Sequence, residues 1–243
     1  MKKAFLTLAM AVATITATQA QQKPDVFTTP GGKTVKISII KHASLHIVYD
    51  GKEIQVDPVS DGVKPITNYT TYPKADYILL THEHPDHFDL EAVGCLRTVG
   101  HTVVVENQRC MDEFHNGTVL HNGDSLVFSP DFIIKAVPAY NYTEGRENLH
   151  PKGRDNGYVL TCDGLRIYIA GDTEDVPEMA DLGPIDIAFM PCNQPYTMTV
   201  DQLVNAAKTV KPRVLFPYHY GNTPIMQARM KLMGTGIDVR IRR

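Results

Sequence analysis

Between residues 35 and 56, apolar side chains recur at alternate positions or in short runs, and an Asp50-Gly51-Lys52 turn divides them. Alternate residues of an extended chain face opposite sides of a sheet, so residues 35–40, 44–49 and 54–56 read as three strands of a β-meander. Asp57-Pro58 closes the third strand. Residues 77–80 form an unbroken apolar run of strand length, and residues 90–98 read as a short helix. Further strands are expected at 102–105, 125–128 and 132–137, separated by polar turns such as His121-Asn122-Gly123-Asp124.

The second half follows the same logic. Residues 158–161 and 166–170 flank the Cys162-Asp163-Gly164 turn as a hairpin, and the latter strand ends in Gly171-Asp172-Thr173. Residues 185–190 form another apolar run. Apolar positions 200, 203, 204, 207 and 210 repeat with helical spacing, Thr199 is placed to cap that helix, and Lys211-Pro212 stops it. Residues 214–217 are then the strand that delivers Tyr218-His219. Strands interleaved with helices predict a sheet-rich α/β layer protein. A chain of 243 residues, 43% apolar, can bury one sizeable core, and no linker or internal repeat divides it.

The first twenty residues stand apart. Met1-Lys2-Lys3 is a basic start, residues 4–15 are mostly apolar, and Thr18-Gln19-Ala20 supplies small residues for cleavage, the pattern of a secretory signal peptide. The expected organisation is a signal peptide over 1–20 and one domain over 21–243, exported to the periplasm or secreted. The apolar stretch is too short and too rich in Ala and Thr to predict stable membrane insertion. Loss of Lys2 and Lys3 moves the formal net charge from −3 to −5, which with no clustered basic face argues against a nucleic-acid partner. Cys95, Cys110, Cys162 and Cys192 form no CxxC pair; disulfides and buried thiols both remain open, and Cys192 follows a strand that ends near the candidate site. Composition sets no oligomeric state.

Chemistry concentrates in Thr81-His82-Glu83-His84-Pro85-Asp86-His87, directly after the 77–80 strand. In an extended segment His82 and His84 point the same way and can offer imidazoles to one cation, while Asp86 and His87 turn toward a second. Imidazole with carboxylate suits Zn2+, with Mn2+, Fe2+ or Ni2+ also compatible. Asp172 and His219 follow two other strands, and Asp172 is a natural bridge between two cations.

The order His82-x-His84-x-Asp86-His87, Gly171-Asp172-Thr173 and Pro217-Tyr218-His219 resembles the metallo-β-lactamase-fold hydrolase superfamily over nearly all of the mature chain. Lys41-His42-Ala43-Ser44-Leu45, Val56-Asp57-Pro58, Val137-Pro138-Ala139-Tyr140-Asn141, His150-Pro151-Lys152-Gly153 and Tyr196-Thr197-Met198 resemble the branch that includes ascorbate-phosphate lactonases and phospholipase D-like enzymes. The resemblance implies a four-layer αββα sandwich with two divalent metal ions, expected to be zinc. It implies that His82 and His84 bind the first metal, Asp86, His87 and His219 the second, and that Asp172 bridges them. The superfamily's third histidine for the first metal falls where this chain has Asn141, so His150 is the expected replacement.

Two such cations roughly 3.5–4 Å apart lower the pKa of a shared water from about 15.7 toward 7. The resulting activity is hydrolysis of an ester-type bond, with Asp86 as the candidate catalytic residue that orients the nucleophile and carries its proton. A phosphodiester or lactone ranks above a β-lactam, because antibiotic-degrading relatives typically lack a histidine after the motif aspartate, and fold does not assign reaction. The rival reading is a non-catalytic exported metal- or ligand-binding protein on the same scaffold. Tyr142, Arg146, His150 and Lys152 lie in one segment that either overhangs the site, offering cations to a small anionic substrate, or is a solvated loop. Tyr196, Tyr218 and Tyr220 line the pocket or pack; His42 is structural or supports the metal ligands; His101, His115 and His121 are expected at the surface.

Overall fold

The computed structural model describes residues 23–242. The expected signal segment therefore lies outside the described residues, as do Gln21, Gln22 and Arg243. The remainder forms two seven-stranded sheets, each built from one half of the chain. The first contains β1 (Asp25–Thr28), β2 (Thr34–Lys41), β3 (Ser44–Tyr49), β4 (Lys52–Val56), β5 (Tyr77–Leu79), β6 (Val103–Glu106) and β7 (Thr118–Val119) in that spatial order. The second contains β8 (Ser125–Ser129), β9 (Phe132–Ala139), β10 (Asp155–Cys162), β11 (Leu165–Ile169), β12 (Ile187–Pro191), β13 (Val214–Tyr218) and β14 (Asp238–Val239). In each sheet the first four strands pair antiparallel and the last four parallel, so the two halves share one pairing order.

Three apolar clusters define the layers. Ile47, Ile54, Leu79, Ile134, Leu160, Ile167, Phe189 and Phe216 meet between the sheets. Ile78 and Val104, on the opposite face of the first sheet, pack with Val93 and Leu96 of α1 (Leu90–Leu96) and Cys110 of α2 (Gln108–Phe114). Tyr168, Ala188 and Leu215 on the outer face of the second sheet pack with Leu203 and Ala207 of α3 (Val200–Val210) and Ala228 of α4 (Met226–Lys231). The result is the expected αββα sandwich. A fully buried Leu or Phe contributes about 1.5–3 kcal/mol, so these three clusters carry most of the stabilisation.

Helix α3 has the predicted bounds because its caps are strong: Thr199 accepts from the Gln202 N–H at 3.1 Å while the Gln202 side chain accepts from the Thr199 N–H at 2.9 Å. The helix expected at 90–98 stops at Leu96, and β10 starts three residues before the expected 158. Neither α2 nor α4 is read from the pattern, since each buries too few side chains to print an apolar stripe. Among the described residues no helix is long and apolar enough to cross a membrane.

Candidate metal centre

The site forms where the ends of β5, β11 and β13 meet the β2–β3 turn and the β9–β10 connection. Leu80 extends β5 and donates to Val105 at 2.9 Å, after which the chain turns back through His87 and Phe88 N–H bonds to the His84 carbonyl. Asp172 follows Gly171, whose φ is +67° and where a Cβ would lie 2.8 Å from the Asn156 carbonyl, so only glycine lets the strand end close on its neighbour. His219 follows β13 with φ +45°, and its N–H donates to the His42 carbonyl at 3.0 Å.

These backbones assemble two donor sets. His82 Nε2 lies 3.0 Å from His84 Nδ1, and the His150 ring stands 4.9 Å from each of those two rings. In the other set Asp86 Oδ2 lies 3.4 Å from His219 Nε2 and 3.1 Å from His42 Nε2, with His87 alongside. Asp172 spans the gap: Oδ1 is 3.2 Å from His87 Nε2, and Oδ2 is 3.3 Å from His219 Nε2 and 3.5 Å from His150 Nε2. The structure thus brings together His82, His84, Asp86, His87, His150, Asp172 and His219. Asn141 does not join either set. Its N–H donates to the His150 carbonyl at 2.9 Å and its amide to Tyr196, so it fixes the segment that presents His150.

Two buried carboxylates that the sequence expectations gave no role, Asp57 and Asp155, set the ring orientations. Asp57, at φ +42°, accepts from Thr81 N–H at 2.8 Å, Thr81 Oγ1 at 2.7 Å and His87 Nδ1 at 2.8 Å. The Thr81 hydroxyl, having donated its proton, can accept from His82 Nδ1 at 3.0 Å. One carboxylate therefore leaves Nε2 of a histidine in each set free to face the other donors. Asp155 does the same for His150 Nδ1 at 3.0 Å and is itself held by Arg154. The Asp57-Pro58 strand end was visible in sequence without its role; nothing local marks Asp155.

Electrostatics separates the members. Burial alone would raise the carboxyls of Asp86 and Asp172, but His219 and His42 hold Asp86 low, and His219 and His87 hold Asp172 well below the ordinary carboxylate range. Burial opposes charge on His87, yet Asp172 and Asp57 outweigh it and raise its pKa. Burial lowers His82, His84 and His42. Several of these atoms, His87 Nε2, Asp172 Oδ1 and both His219 ring nitrogens, are buried with no hydrogen-bond partner. Buried imidazole and carboxylate atoms that face one another without hydrogen bonds are what a divalent cation satisfies, so the donor set fits the expected metals.

The neighbouring expectations divide. Lys152 pairs with Glu178 at 2.7 Å and covers the Tyr140 ring, Arg146 is held by Glu174 and Gln194, and the Tyr142 hydroxyl donates to Asp175 at 2.7 Å. Both cations of that segment thus have protein partners. Tyr218 is buried, its hydroxyl 3.4 Å from the Gly171 carbonyl, while Tyr196 is half exposed. His101, His115 and His121 lie outside the donor sets. All four cysteines are free thiols, and Cys192 is buried with its thiol pushed up to about 12. A groove of about 1070 Å³ runs from His42 and His219 past Ile40, Lys64, Ile66 and Arg242, and no acidic residue lines it among those described.

A profile of the β-lactamase superfamily domain matches residues 36–219. A UPF0173 metal-dependent hydrolase of Ligilactobacillus salivarius (strain UCC118) is 34% identical over 199 residues, covering 78% of this chain and 87% of that protein. The crystal structure of a protein of Parabacteroides distasonis ATCC 8503, provisionally assigned as a metal-dependent hydrolase, superposes with a TM-score of 0.86 at 52% identity, covering 90% of this chain and 98% of that one. Igni18, a metallo hydrolase of Ignicoccus hospitalis KIN4/I, gives 0.71 at 25% identity, covering 86% and 95%.

Proposed function

The chain belongs to the β-lactamase superfamily and within it to the UPF0173 metal-dependent hydrolases, and on that premise we propose that it hydrolyses a phosphodiester or lactone of a small anionic substrate with two divalent cations, zinc in the first instance. The observation that carries this reading is the position of Asp172, in contact with His87, His219 and His150 across both donor sets. His82, His84 and His150 would hold one cation, Asp86, His87 and His219 the other, with Asp172 between them. The cations would supply an acidified water and a Lewis acid for the substrate oxygen.

The chain's own residues do the rest. Asp86, partly exposed and ionised, is placed to orient the attacking water and take its proton. Asp57 and Asp155 keep the imidazoles aimed. The groove beside His42 offers Lys64 with apolar Ile40 and Ile66, while Arg242 at its edge is paired with Asp25, a lining suited to an anion with an apolar arm. The proximity of His150 to His82 and His84 supports the hydrolytic reading over a binding protein. Export with cleavage near Ala20 belongs to the same proposal, and N-terminal sequencing of the protein from its native host tests it.

Elemental analysis of the purified protein, beside His219→Ala, tests the site. Two metals per chain, dropping toward one in the variant, with turnover of bis(p-nitrophenyl) phosphate or an acyl lactone, supports the proposal. One metal in both proteins would refute the binuclear site, and metal binding without turnover on either substrate class would refute the hydrolytic reading.

A further inference from the structure

We propose that His42 is a further protein donor, beside the shared Asp172, for the cation of the Asp86, His87 and His219 set, an inference that rests on the binuclear reading above. His42 Nε2 lies 3.1 Å from Asp86 Oδ2, and the ligand atoms of His42, Asp86, His87 and His219 all fall within 4.8 Å of one another. The His42 and His219 rings lie 3.7 Å apart. Their backbones are clipped together by the bond from His219 N–H to the His42 carbonyl, so both imidazoles project from one junction. His42, with φ +44°, is the first residue of the tight β2–β3 turn. That turn aims the side chain at Asp86.

The fold supplies an independent argument. Because both sheets share one pairing order, the β2–β3 turn of the first corresponds to the β9–β10 connection of the second. The second connection carries His150, which completes the His82 and His84 set; the first carries His42 beside the other set. Each sheet thus sends one histidine to the site from its second-to-third strand connection. With Asp172 shared between the sets, His42 would give the second cation five protein donors against four for the cation of His82, His84 and His150, which leaves the latter the more open to water and substrate. The His42 ring, which also lines the groove, would form the wall between groove and cation.

The test is nuclear magnetic resonance of the full mature protein, labelled with 15N-histidine and loaded with 113Cd2+. The proposal expects six imidazoles with one-bond coupling to cadmium, from His42, His82, His84, His87, His150 and His219, and loss of one in His42→Gln while the other five persist. Five coupled imidazoles in the parent, with the resonance that disappears in His42→Gln uncoupled, would overturn it and make His42 a hydrogen-bond partner of Asp86 only; the binuclear reading would survive. No coupled imidazole in the parent would overturn both.

Discussion

Glu106 ends β6 with its side chain fully buried and both carboxyl oxygens without a partner. It fills the space left by Gly117, where a Cβ would sit 2.0 Å from Oε1. Burial without a compensating charge raises its pKa from 4.5 to about 7. The folded state therefore binds this proton more tightly than the unfolded chain. The stability it contributes is fully present below the unfolded value and is lost as pH rises from about 4.5 to about 7. At about 1.36 kcal/mol per unit, that window removes about 3 kcal/mol, and nothing further is lost above it. Glu106→Gln abolishes the titration while keeping the shape. Urea unfolding of the chelated parent and variant at pH 5 and pH 8, at fixed ionic strength, should show the variant gaining roughly 2–3 kcal/mol relative to the parent over that range. The other ionisable groups titrate in both proteins, so the difference isolates Glu106. Parallel pH dependences would refute the argument that this carboxyl is protonated in the fold.

Three further outcomes follow from particular contacts. Asp57→Asn turns one acceptor oxygen into an NH2 group, so the bonds from Thr81 N–H, Thr81 Oγ1 and His87 Nδ1 cannot all persist, and metal affinity should fall about 10–100-fold in competition with a chromogenic chelator; an unchanged affinity would remove Asp57 from the support of the site. Lys41 is buried and its ammonium donates to the carbonyls of Ser60, Val63 and Pro65 at 2.9–3.0 Å. Lys41→Met should cost about 1–3 kcal/mol in urea unfolding and raise hydrogen exchange over residues 60–67, of which residues 63–67 line the groove. Gly157→Ala would place a Cβ 2.7 Å from the Ala170 carbonyl, against the strand end that delivers Asp172, and should destabilise by about 1–3 kcal/mol in the same assay.

Much of the fold is legible because strands with alternating or continuous apolar runs declare themselves locally. The meander over 35–56, the 77–80 strand and the capped α3 all follow from side-chain period and cap chemistry. Short elements do not: β14 has two residues and α4 buries only Ala228. The centre divides in the same way. His82, His84, Asp86 and His87 are adjacent in sequence, so their chemistry is visible without a structure. Asp155 orients His150 only because β10 begins three residues earlier than its apolar pattern shows, and Asp57 reaches His87 across thirty positions through sheet register. Lys152 and Arg146 read as substrate cations because sequence does not reveal that Glu178 and Glu174 lie beside them.

The shared pairing order of the two sheets explains where the donors come from and why no repeat is seen in the sequence. A sheet specifies only which positions face inward, and many residues meet that demand, so two halves can keep one topology while their side chains diverge. The equivalent strand ends show the divergence directly. Asp57 follows β4 and Asp172 follows the corresponding β11, yet one bonds ring N–H groups from behind while the other lies between the donor sets. After β13 the chain presents His219 to the centre; after the corresponding β6 it presents Asn107, which caps α2 through Cys110 N–H and touches Asp155. The 82–87 segment after β5 has no counterpart after β12, where Cys192 and Asn193 join neither donor set. The first sheet therefore contributes the dense motif and the second the distant ligands, and a centre shared between them requires both halves of the sandwich to be packed before either set of donors is complete.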